Sequence, residues 1–283
     1  MRKVLDKDGG IYMKLKRLIS NIILGATIVT LSLGVAGCSK ENTSESTLNK
    51  ETLIVGMDDA FAPMGFKDEN GEITGFDVEL AKAICEKLNK KVVFQPIDWT
   101  MKETELKSGN IDLIWNGYTI NEERKKKVDF SVPYLKNKQV IVTLSNSDIK
   151  AKKDLEGKKV GAQNESSAIS AMEKEEDLYN SFNGGSAIAF EDNNQALMDL
   201  EAGRIDAVVA DEILVRYYIR LKGEDKFNIL DDNFGEEEYG VGIRKGDTEM
   251  VDAFNKAYKE LQDDGTLAQI STKWFDADIT IKE

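Results

Sequence analysis

The sequence contains no histidine, and this absence excludes several kinds of chemistry at once. A Ser-His-Asp triad and a Cys-His pair both need an imidazole base, and many zinc sites use imidazole ligands. Proline is scarce as well, with 3 residues in 283, and 41% of the residues are apolar. We therefore expect a soluble globular protein without a metal site or a cofactor.

Acidic residues outnumber basic ones, 51 to 38, and the charge is unevenly distributed along the chain. The net charge is −13, and residues 1–37 carry six basic residues against two acidic ones, so the remaining body has a net charge of −17. Nucleic acid repels such a body. A chain of 283 residues is long enough for two lobes of about 100 residues each.

The N-terminus has the pattern of a targeting segment. Basic residues at 14–17 precede an apolar stretch at 18–33, which is followed by Val35-Ala36-Gly37-Cys38. This pattern resembles a bacterial lipobox, in which the cysteine is acylated, for example with palmitate, and becomes the mature N-terminus. Residues 1–37 are then a signal peptide, and Met13 is a plausible true start. An uncleaved membrane anchor is the alternative, although about 16 apolar residues are few for a bilayer span.

Cysteine is limited to Cys38 and Cys85, so an acylated Cys38 leaves no partner for an intramolecular disulfide. Cys85 falls on the same predicted helix face as Leu80 and Ile84, which predicts a small buried core residue. Between the lipid site and the folded body, residues 38–50 are polar and predict a flexible tether.

One motif, L-x-x-G-x-I-D, occurs at 106–112 and again at 200–206. Each copy follows a helix-period stretch and precedes an apolar run. The pattern predicts a helix, a left-handed glycine that ends it, and a buried strand. These strands run out at Gly117 and Asp211. Because ligands lie beyond the carboxyl ends of strands in open α/β sheets, two similar lobes imply one cleft between them.

Periodicity predicts an α/β chain throughout. The predicted strands are 52–57, 91–95, 140–144, 157–161, 187–190 and 239–243, and a turn is predicted at 68–71. The predicted helices are 76–89, 100–107, 166–174 and 193–200, with a helical tail at 248–275.

The segment 116–134, N-G-Y-T-I-N-E-E-R-K-K-K-V-D-F-S-V-P-Y, resembles the central motif of polar amino-acid-binding proteins, the family 3 solute-binding components of ABC importers. Other segments agree with the family in the same order: G-F-D-V-E-L-A at 75–81, Y-G-V-G-I-R-K-G at 239–246, and D-G-T-L with K-W-F at 264–275. The resemblance covers residues 51–278.

The resemblance implies a periplasmic-binding-protein-like clamp of type II, with two α/β lobes joined by two hinge crossings. The first lobe would hold residues 51–135 and 238–283, and the second residues 136–237. It also implies a monomer at the outer face of the cell membrane, tethered by lipid, that closes on an amino acid and delivers it to an ABC permease. A lipid-tethered, lysine-rich chain favours a Gram-positive surface.

Burial of a zwitterionic ligand requires one protein charge for each ligand charge. Arg124 matches the family's carboxylate-binding arginine, and its planar guanidinium can form two parallel hydrogen bonds. Without the resemblance, an arginine in E-E-R-K-K-K reads as part of a solvated helix face. Asp211 matches the ammonium-binding carboxylate of the other lobe. It also fits a helix N-cap before Glu212, and the two roles can coexist.

The remaining candidate site residues come from both lobes. The resemblance implies that Gly117 contacts the ligand through its backbone and Thr119 through its hydroxyl group. Ser166 and Ser167 are predicted to begin a helix whose N–H groups can bind a carboxylate. The candidates that would surround the ligand's side chain are Asp58, Phe61, Trp99 and Gln163. Trp115 falls inside a strand run and is expected in the core.

Glu165 departs from the family, which has a small residue before the hydroxyl pair. With Asp58 it would make the cleft acidic and favour glutamine, a basic amino acid or cystine over glutamate, although Glu165 can equally face solvent. The main alternative function is an enzyme of the lyase type on the same scaffold, with Glu165 or Asp58 as its acid or base. A lipoprotein adhesin would need no charges in the cleft.

Overall fold

The structure of the protein is a computed structural model that describes residues 46–282. The predicted signal peptide and Cys38 lie outside these residues. Within them no helix is both long and apolar enough to cross a membrane.

The described chain alternates strands with helices. Its strands are β1 (Thr52–Met57), β2 (Ala60–Phe61), β3 (Gly65–Lys67), β4 (Ile73–Thr74), β5 (Lys91–Pro96), β6 (Leu113–Ile114), β7 (Val128–Phe130), β8 (Leu135–Leu144), β9 (Val160–Gln163), β10 (Ile188–Phe190), β11 (Ala207–Asp211), β12 (Phe227–Tyr239) and β13 (Gly242–Arg244). Its α-helices are α1 (Phe76–Lys87), α2 (Lys102–Ser108), α3 (Glu122–Lys127), α4 (Ser167–Glu173), α5 (Glu176–Asn180), α6 (Asn193–Glu201), α7 (Glu212–Lys222), α8 (Thr248–Asp263) and α9 (Thr266–Phe275).

Two five-stranded sheets follow one plan, and each forms the centre of a lobe. The first lobe's sheet has the order β5-β1-β6-β13-β7, and the second lobe's sheet has the order β10-β9-β11-β8-β12. In each sheet the first three strands are parallel, the fourth runs antiparallel to them, and the fifth is antiparallel to the fourth. A small antiparallel sheet, β2-β3-β4, is added to the first lobe, and the turn predicted at 68–71 joins β3 to β4.

The two copies of L-x-x-G-x-I-D have the same structural role in their lobes. Asp112 Oδ2 accepts a hydrogen bond from the N–H of Ile54 (3.0 Å), and the N–H of Asp112 donates to the carbonyl of Ile54 (2.7 Å). Asp206 Oδ2 accepts from the N–H of Lys159 (2.8 Å), and the return bond measures 2.9 Å. Gly109 closes α2 with φ +83°, as predicted. The motif aspartates therefore fix the starts of β6 and β11, and the site lies at the other ends of these strands.

Helix α1 packs its apolar face against β1 and the strands beside it. Leu80, Ile84 and Cys85 are buried in the same cluster as Leu53 and Trp115. The predictions that Cys85 and Trp115 belong to the core are confirmed, because each is 1% exposed. Burial also raises the pKa of the Cys85 thiol to about 12, which keeps it protonated.

The chain passes between the sheets after β7 and again after β12, and β8 pairs with β12 over most of its length. The hinge role of these passages stays a prediction. The prediction of one strand at 239–243 is wrong. Tyr239 ends β12 and Gly242 begins β13, so this segment belongs to two strands. The helical tail is likewise divided, at Gly265, which has φ +82°.

Candidate functional site

A cavity of about 260 Å³ lies between the lobes, at the carboxyl ends of β1, β6, β9 and β11. The residues that line it are Asp58, Phe61, Trp99, Asn116, Gly117, Arg124, Gln163, Ser166, Ser167 and Asp211. The structure thus brings nine of the ten candidate site residues around one space. The tenth, Thr119, lies beside it, with its Oγ1 3.0 Å from Ser167 Oγ. Asn116 was not among the candidates.

Arg124 contributes the cation of the first lobe. Asn121 caps α3 by accepting a hydrogen bond from the N–H of Arg124 (2.8 Å), and this fixes which side chain of the basic run turns inward. Arg124 is 6% exposed, whereas the side chain of Lys126 is 69% exposed. The guanidinium lies 4.4 Å from the ring centroid of Tyr118, and its Nη1 donates to the carbonyl of Thr119 (3.0 Å). The interpretation of Arg124 as part of a solvated helix face is wrong.

Asp211 contributes the anion of the second lobe. Its Oδ1 accepts hydrogen bonds from Asn137 (2.7 Å), Gln139 (3.1 Å) and Tyr239 (2.6 Å). It occupies the N-cap position of α7 but makes no capping bond with its side chain, so the capping role is wrong. Asn137 Oδ1 instead accepts from the N–H of Ile213 (3.4 Å). Burial and the neighbouring Glu237 raise the pKa of Asp211 well above its ordinary value.

Gly117 is held by a buried carboxylate behind the cavity. Its N–H donates to Asp77 Oδ2 (2.7 Å), to which the Tyr134 hydroxyl also donates (3.0 Å). The backbone contact expected of Gly117 is therefore left to its carbonyl. Its φ is +57°, and an added Cβ would lie 2.8 Å from the Phe61 ring, so only glycine fits here. Burial raises the pKa of Asp77 to about 7.

Asp58 and Gln163 form the far end of the cavity, one from each lobe. Gln163 Nε2 donates to Asp58 Oδ2 (2.7 Å), and Gln163 Oε1 accepts from Asn193 Nδ2 (3.0 Å). Burial raises the pKa of Asp58 to about 6, with smaller contributions from Asp192 and Asp59. Asn116 Nδ2 is buried nearby and has no hydrogen-bond partner among the described residues, so it is a donor available to a ligand oxygen.

Lys102 bridges the lobes beside the cavity, and sequence analysis missed it. Its side chain is almost fully buried, and Nζ donates to the carbonyls of Trp99 and of Glu165 in the second lobe, both at 3.1 Å. Burial, followed by the charge of Arg124, lowers the pKa of Lys102 to about 8. The side chain of Glu165 is exposed and does not line the cavity. The acidic group at the end of the cavity formed by Asp58 and Gln163 is therefore Asp58.

The aromatic candidates form one wall, and the serine candidates begin α4. Trp99 packs edge-on against Tyr118, with ring centroids 5.9 Å apart. Ser166 Oγ accepts from the N–H of Ile169 (3.4 Å) and caps the helix, as predicted. Ser167 Oγ accepts from Gln139 Nε2 (3.0 Å). The cavity therefore has a cation at one point, carboxylates at two others and an aromatic wall.

The sequence and the fold of this chain are similar to those of known proteins. The sequence profile described as bacterial extracellular solute-binding proteins, family 3, matches residues 53–277. The L-cystine-binding protein TcyJ of Escherichia coli is 36% identical over 275 residues, which cover 95% of this chain and all of the relative. The arginine-binding extracellular protein ArtP of Bacillus subtilis is 34% identical and covers 90% of this chain and 96% of its own.

Among solved structures, an ABC uptake transporter substrate-binding protein from Streptococcus pneumoniae with bound histidine superposes with a TM-score of 0.80 at 40% identity. The match covers 83% of this chain and 96% of that one. The predicted fold class, a clamp of two α/β lobes, is confirmed.

Proposed function

The chain belongs to the bacterial extracellular solute-binding proteins, family 3, and from this premise we propose that its cavity captures one L-amino acid for delivery to an ABC permease. It is a binding protein of this family and not an enzyme. The observation that carries the proposal is the pair Arg124 and Asp211: a buried guanidinium and a buried carboxyl group, one from each lobe, line one small cavity. A zwitterion supplies the two opposite charges that such a pair needs.

The orientation of the ligand follows from the donors and acceptors around the cavity. The guanidinium of Arg124 is a fork of donors that suits the α-carboxylate. Asp211 and the carbonyl of Gly117 are acceptors that suit the α-ammonium group. Ser166 and Ser167, at the start of α4, add donors for the carboxylate. The ligand's side chain then points towards Asp58 and Gln163.

The second carboxylate, Asp58, supports a cationic or amide-bearing side chain. With Asp211 it sets two carboxylates against the single arginine of the lining, so a ligand with a net positive charge balances the site best. We propose arginine or lysine as the preferred ligand, with glutamine and cystine as the next candidates.

Thermal unfolding tests this proposal directly, because a ligand that binds only the folded state raises the melting temperature. Purified protein, stripped of bound ligand by unfolding and refolding, is scanned with each of the twenty L-amino acids and cystine. We expect L-arginine or L-lysine to give the largest shift. Agmatine, which lacks the carboxylate, and N-acetyl-arginine, which lacks the ammonium charge, should give none. Equal shifts with arginine and agmatine would contradict the zwitterion site.

The N-terminal segment gives the proposal its cellular location. We propose that Cys38 is acylated after removal of residues 1–37 and holds the protein at the outer face of the membrane, on a Gram-positive surface. Labelling with a fatty-acid analogue in the native host tests this, with Cys38→Ser as the matched variant. Label on the wild type alone supports the tether, and label on neither protein contradicts it.

A further inference from the structure

Glu237 lies beside the ammonium end of the cavity, and neither the resemblance nor the sequence singled it out. Its Oε1 accepts hydrogen bonds from Asn137 Nδ2 (2.7 Å), Gln139 Nε2 (2.8 Å) and Thr119 Oγ1 (3.0 Å). Asn137 and Gln139 also donate to Asp211 Oδ1, so each amide nitrogen bridges the two carboxyl groups. Asp211 and Glu237 are thus held together by shared donors.

Strand geometry explains why Glu237 turns inward within a run of three glutamates. In β12, Glu237 is paired with Asn137, while Glu236 and Glu238 are paired with lysines of β8. Successive side chains of a strand point to opposite faces. Glu236 and Glu238 are exposed, and Glu237 is half-buried.

The hydroxyl groups beside the cavity are committed to Glu237. Thr119 Oγ1 is 3.0 Å from both Glu237 Oε1 and Ser167 Oγ, and a carboxylate accepts the threonine proton more strongly than a hydroxyl does. Gln139 donates to Ser167 Oγ, which leaves the serine proton to Glu237 Oε1 (3.5 Å), to Thr119 or to a ligand. The lone pairs of Thr119 that remain can accept from the ligand, as an ammonium group requires.

The side-chain oxygen of Gln139, a buried acceptor without a donor among the described residues, also points to the ligand's ammonium group. Gln139 is 1% exposed, and its Oε1 has no hydrogen-bond partner within residues 46–282. The nitrogen of the same amide contacts both carboxyl groups, so this oxygen lies beside them. A buried acceptor costs free energy until a donor reaches it, and an ammonium group brings three donors.

We propose that Asp211 and Glu237 form one two-carboxyl subsite for the ligand's ammonium group, in which Glu237 is the positioning residue, and that the entering ammonium displaces a proton that the pair shares. This inference rests on the proposed function and adds to it the chemistry of the second carboxyl group.

Asp211 is buried, and Asn137 and Gln139 hold it next to Glu237, so ionising both carboxyl groups is costly and the free site holds one proton. The proton resides on Asp211, whose pKa burial and Glu237 raise. On binding, the O–H bond of the carboxylic acid breaks, the proton leaves to solvent, and the N–H donors of the ammonium replace it. The ligand keeps all of its protons, and the exchange is one cation for another.

Glu237 also lines a surface hollow that contains both positively and negatively charged side chains. The residues that line the same surface hollow are Lys125, Lys136, Lys138, Glu212, Glu236 and Glu238. Tyr239 faces Asp211 from β12, and burial together with Asp211 raises the pKa of its hydroxyl, so it remains a donor. Tyr239 is therefore not the source of the proton that binding releases.

Calorimetry in buffers of different ionisation enthalpy counts the protons that binding releases. L-arginine is the probe, and L-glutamine is the second probe. We expect release of up to about one proton, with affinity that rises as the pH is raised. Glu237→Gln removes the contribution of the second carboxylate to the raised pKa of Asp211, while the burial of Asp211 remains, so its proton release should be smaller than that of the wild type and its affinity should depend less on pH. Glu236→Gln, one residue away and exposed, is the matched control and should behave as the wild type does.

Other proton sources are separated by two further variants. Asp58 has a raised pKa and Lys102 a lowered one, so each can exchange protons when the cavity fills. Proton release that persists in Asp58→Asn and in Lys102→Met but falls in Glu237→Gln supports the proposal. Binding by the wild type without proton release overturns it, even where Glu237→Gln does not fold. Release that is unchanged in Glu237→Gln also overturns it. Absence of binding by every amino acid would instead refute the proposed function.

Discussion

Gln163 donates a hydrogen bond to Asp58 over 2.7 Å, and this bond joins the two lobes at the side-chain end of the cavity. Gln163 ends β9 in the second lobe, and Asp58 follows β1 in the first. A ligand with a cationic side chain can replace the Gln163 amide at Asp58 with a charged donor, which is the stronger partner.

Asp58→Asn should therefore change which ligand is preferred. We expect affinity for L-arginine to fall by about 1.5–3 kcal/mol, since a hydrogen bond to a charged group is lost, while affinity for L-glutamine changes less. The wild type should also bind arginine more tightly as the pH rises through about 6, where Asp58 loses its proton. Calorimetric titration of both ligands against pH measures this. Asp59→Asn, next to it and paired with Lys67, is the control. Equal losses for both ligands would show that Asp58 does not contact the side chain.

Lys102 should slow ligand release, because its hydrogen bond to the Glu165 carbonyl joins the lobes over the cavity. Lys102→Met keeps most of the buried side-chain volume and removes this bond. We expect the dissociation rate to rise about tenfold, for a bond worth roughly 1–1.5 kcal/mol, with a smaller effect on association. Stopped-flow fluorescence of the buried tryptophans reports the rate. Lys107→Met, exposed on the same helix, should leave it unchanged. A dissociation rate in Lys102→Met equal to that of the wild type would show that Lys102 does not slow ligand release.

Asp77 should make the folded state less stable as the pH rises. Burial raises its pKa from 3.8 to about 7, so the neutral carboxyl favours folding, and this contribution is lost between about pH 4 and about pH 7. A shift of about three pKa units corresponds to roughly 4 kcal/mol. Asp77→Asn keeps an acceptor for Gly117 and should show a smaller fall in unfolding free energy across this interval. Urea unfolding at several pH values measures it, with Glu79→Gln on the same helix as control. Parallel pH curves for wild type and Asp77→Asn would contradict the assignment.

The sequence predicted those parts of the fold that local patterns encode. The repeated motif predicted Gly109 in the left-handed conformation and the buried strands β6 and β11, because hydrophobic runs and helix-ending glycines are local signals. Strand β12 was missed. It is largely polar, and its register with β8 shifts twice, at Asn233 and again before Glu236, so no alternation of apolar residues marks it.

Most residues of the candidate site were predicted from the resemblance to a known family. The inward position of the others could be found only from the three-dimensional structure. A run of R-K-K-K does not reveal that Arg124 alone turns inward; the cap by Asn121 decides it. Lys102 reads as a surface lysine until α2 is placed against the second lobe. Glu237 reads as part of an acidic surface run, and only strand alternation in β12 could have indicated its inward position.

The proposed function requires that Arg124 and Asp211 together bind a zwitterion. Calorimetric titration of L-arginine into ligand-free wild type and into Arg124→Ala tests it most directly, with Lys126→Ala as the exposed control on α3. We expect one-to-one saturable binding to the wild type and to Lys126→Ala, and a loss of about 2–5 kcal/mol in Arg124→Ala, where the ligand's carboxylate would be buried without a partner. Binding of similar strength in Arg124→Ala would contradict it.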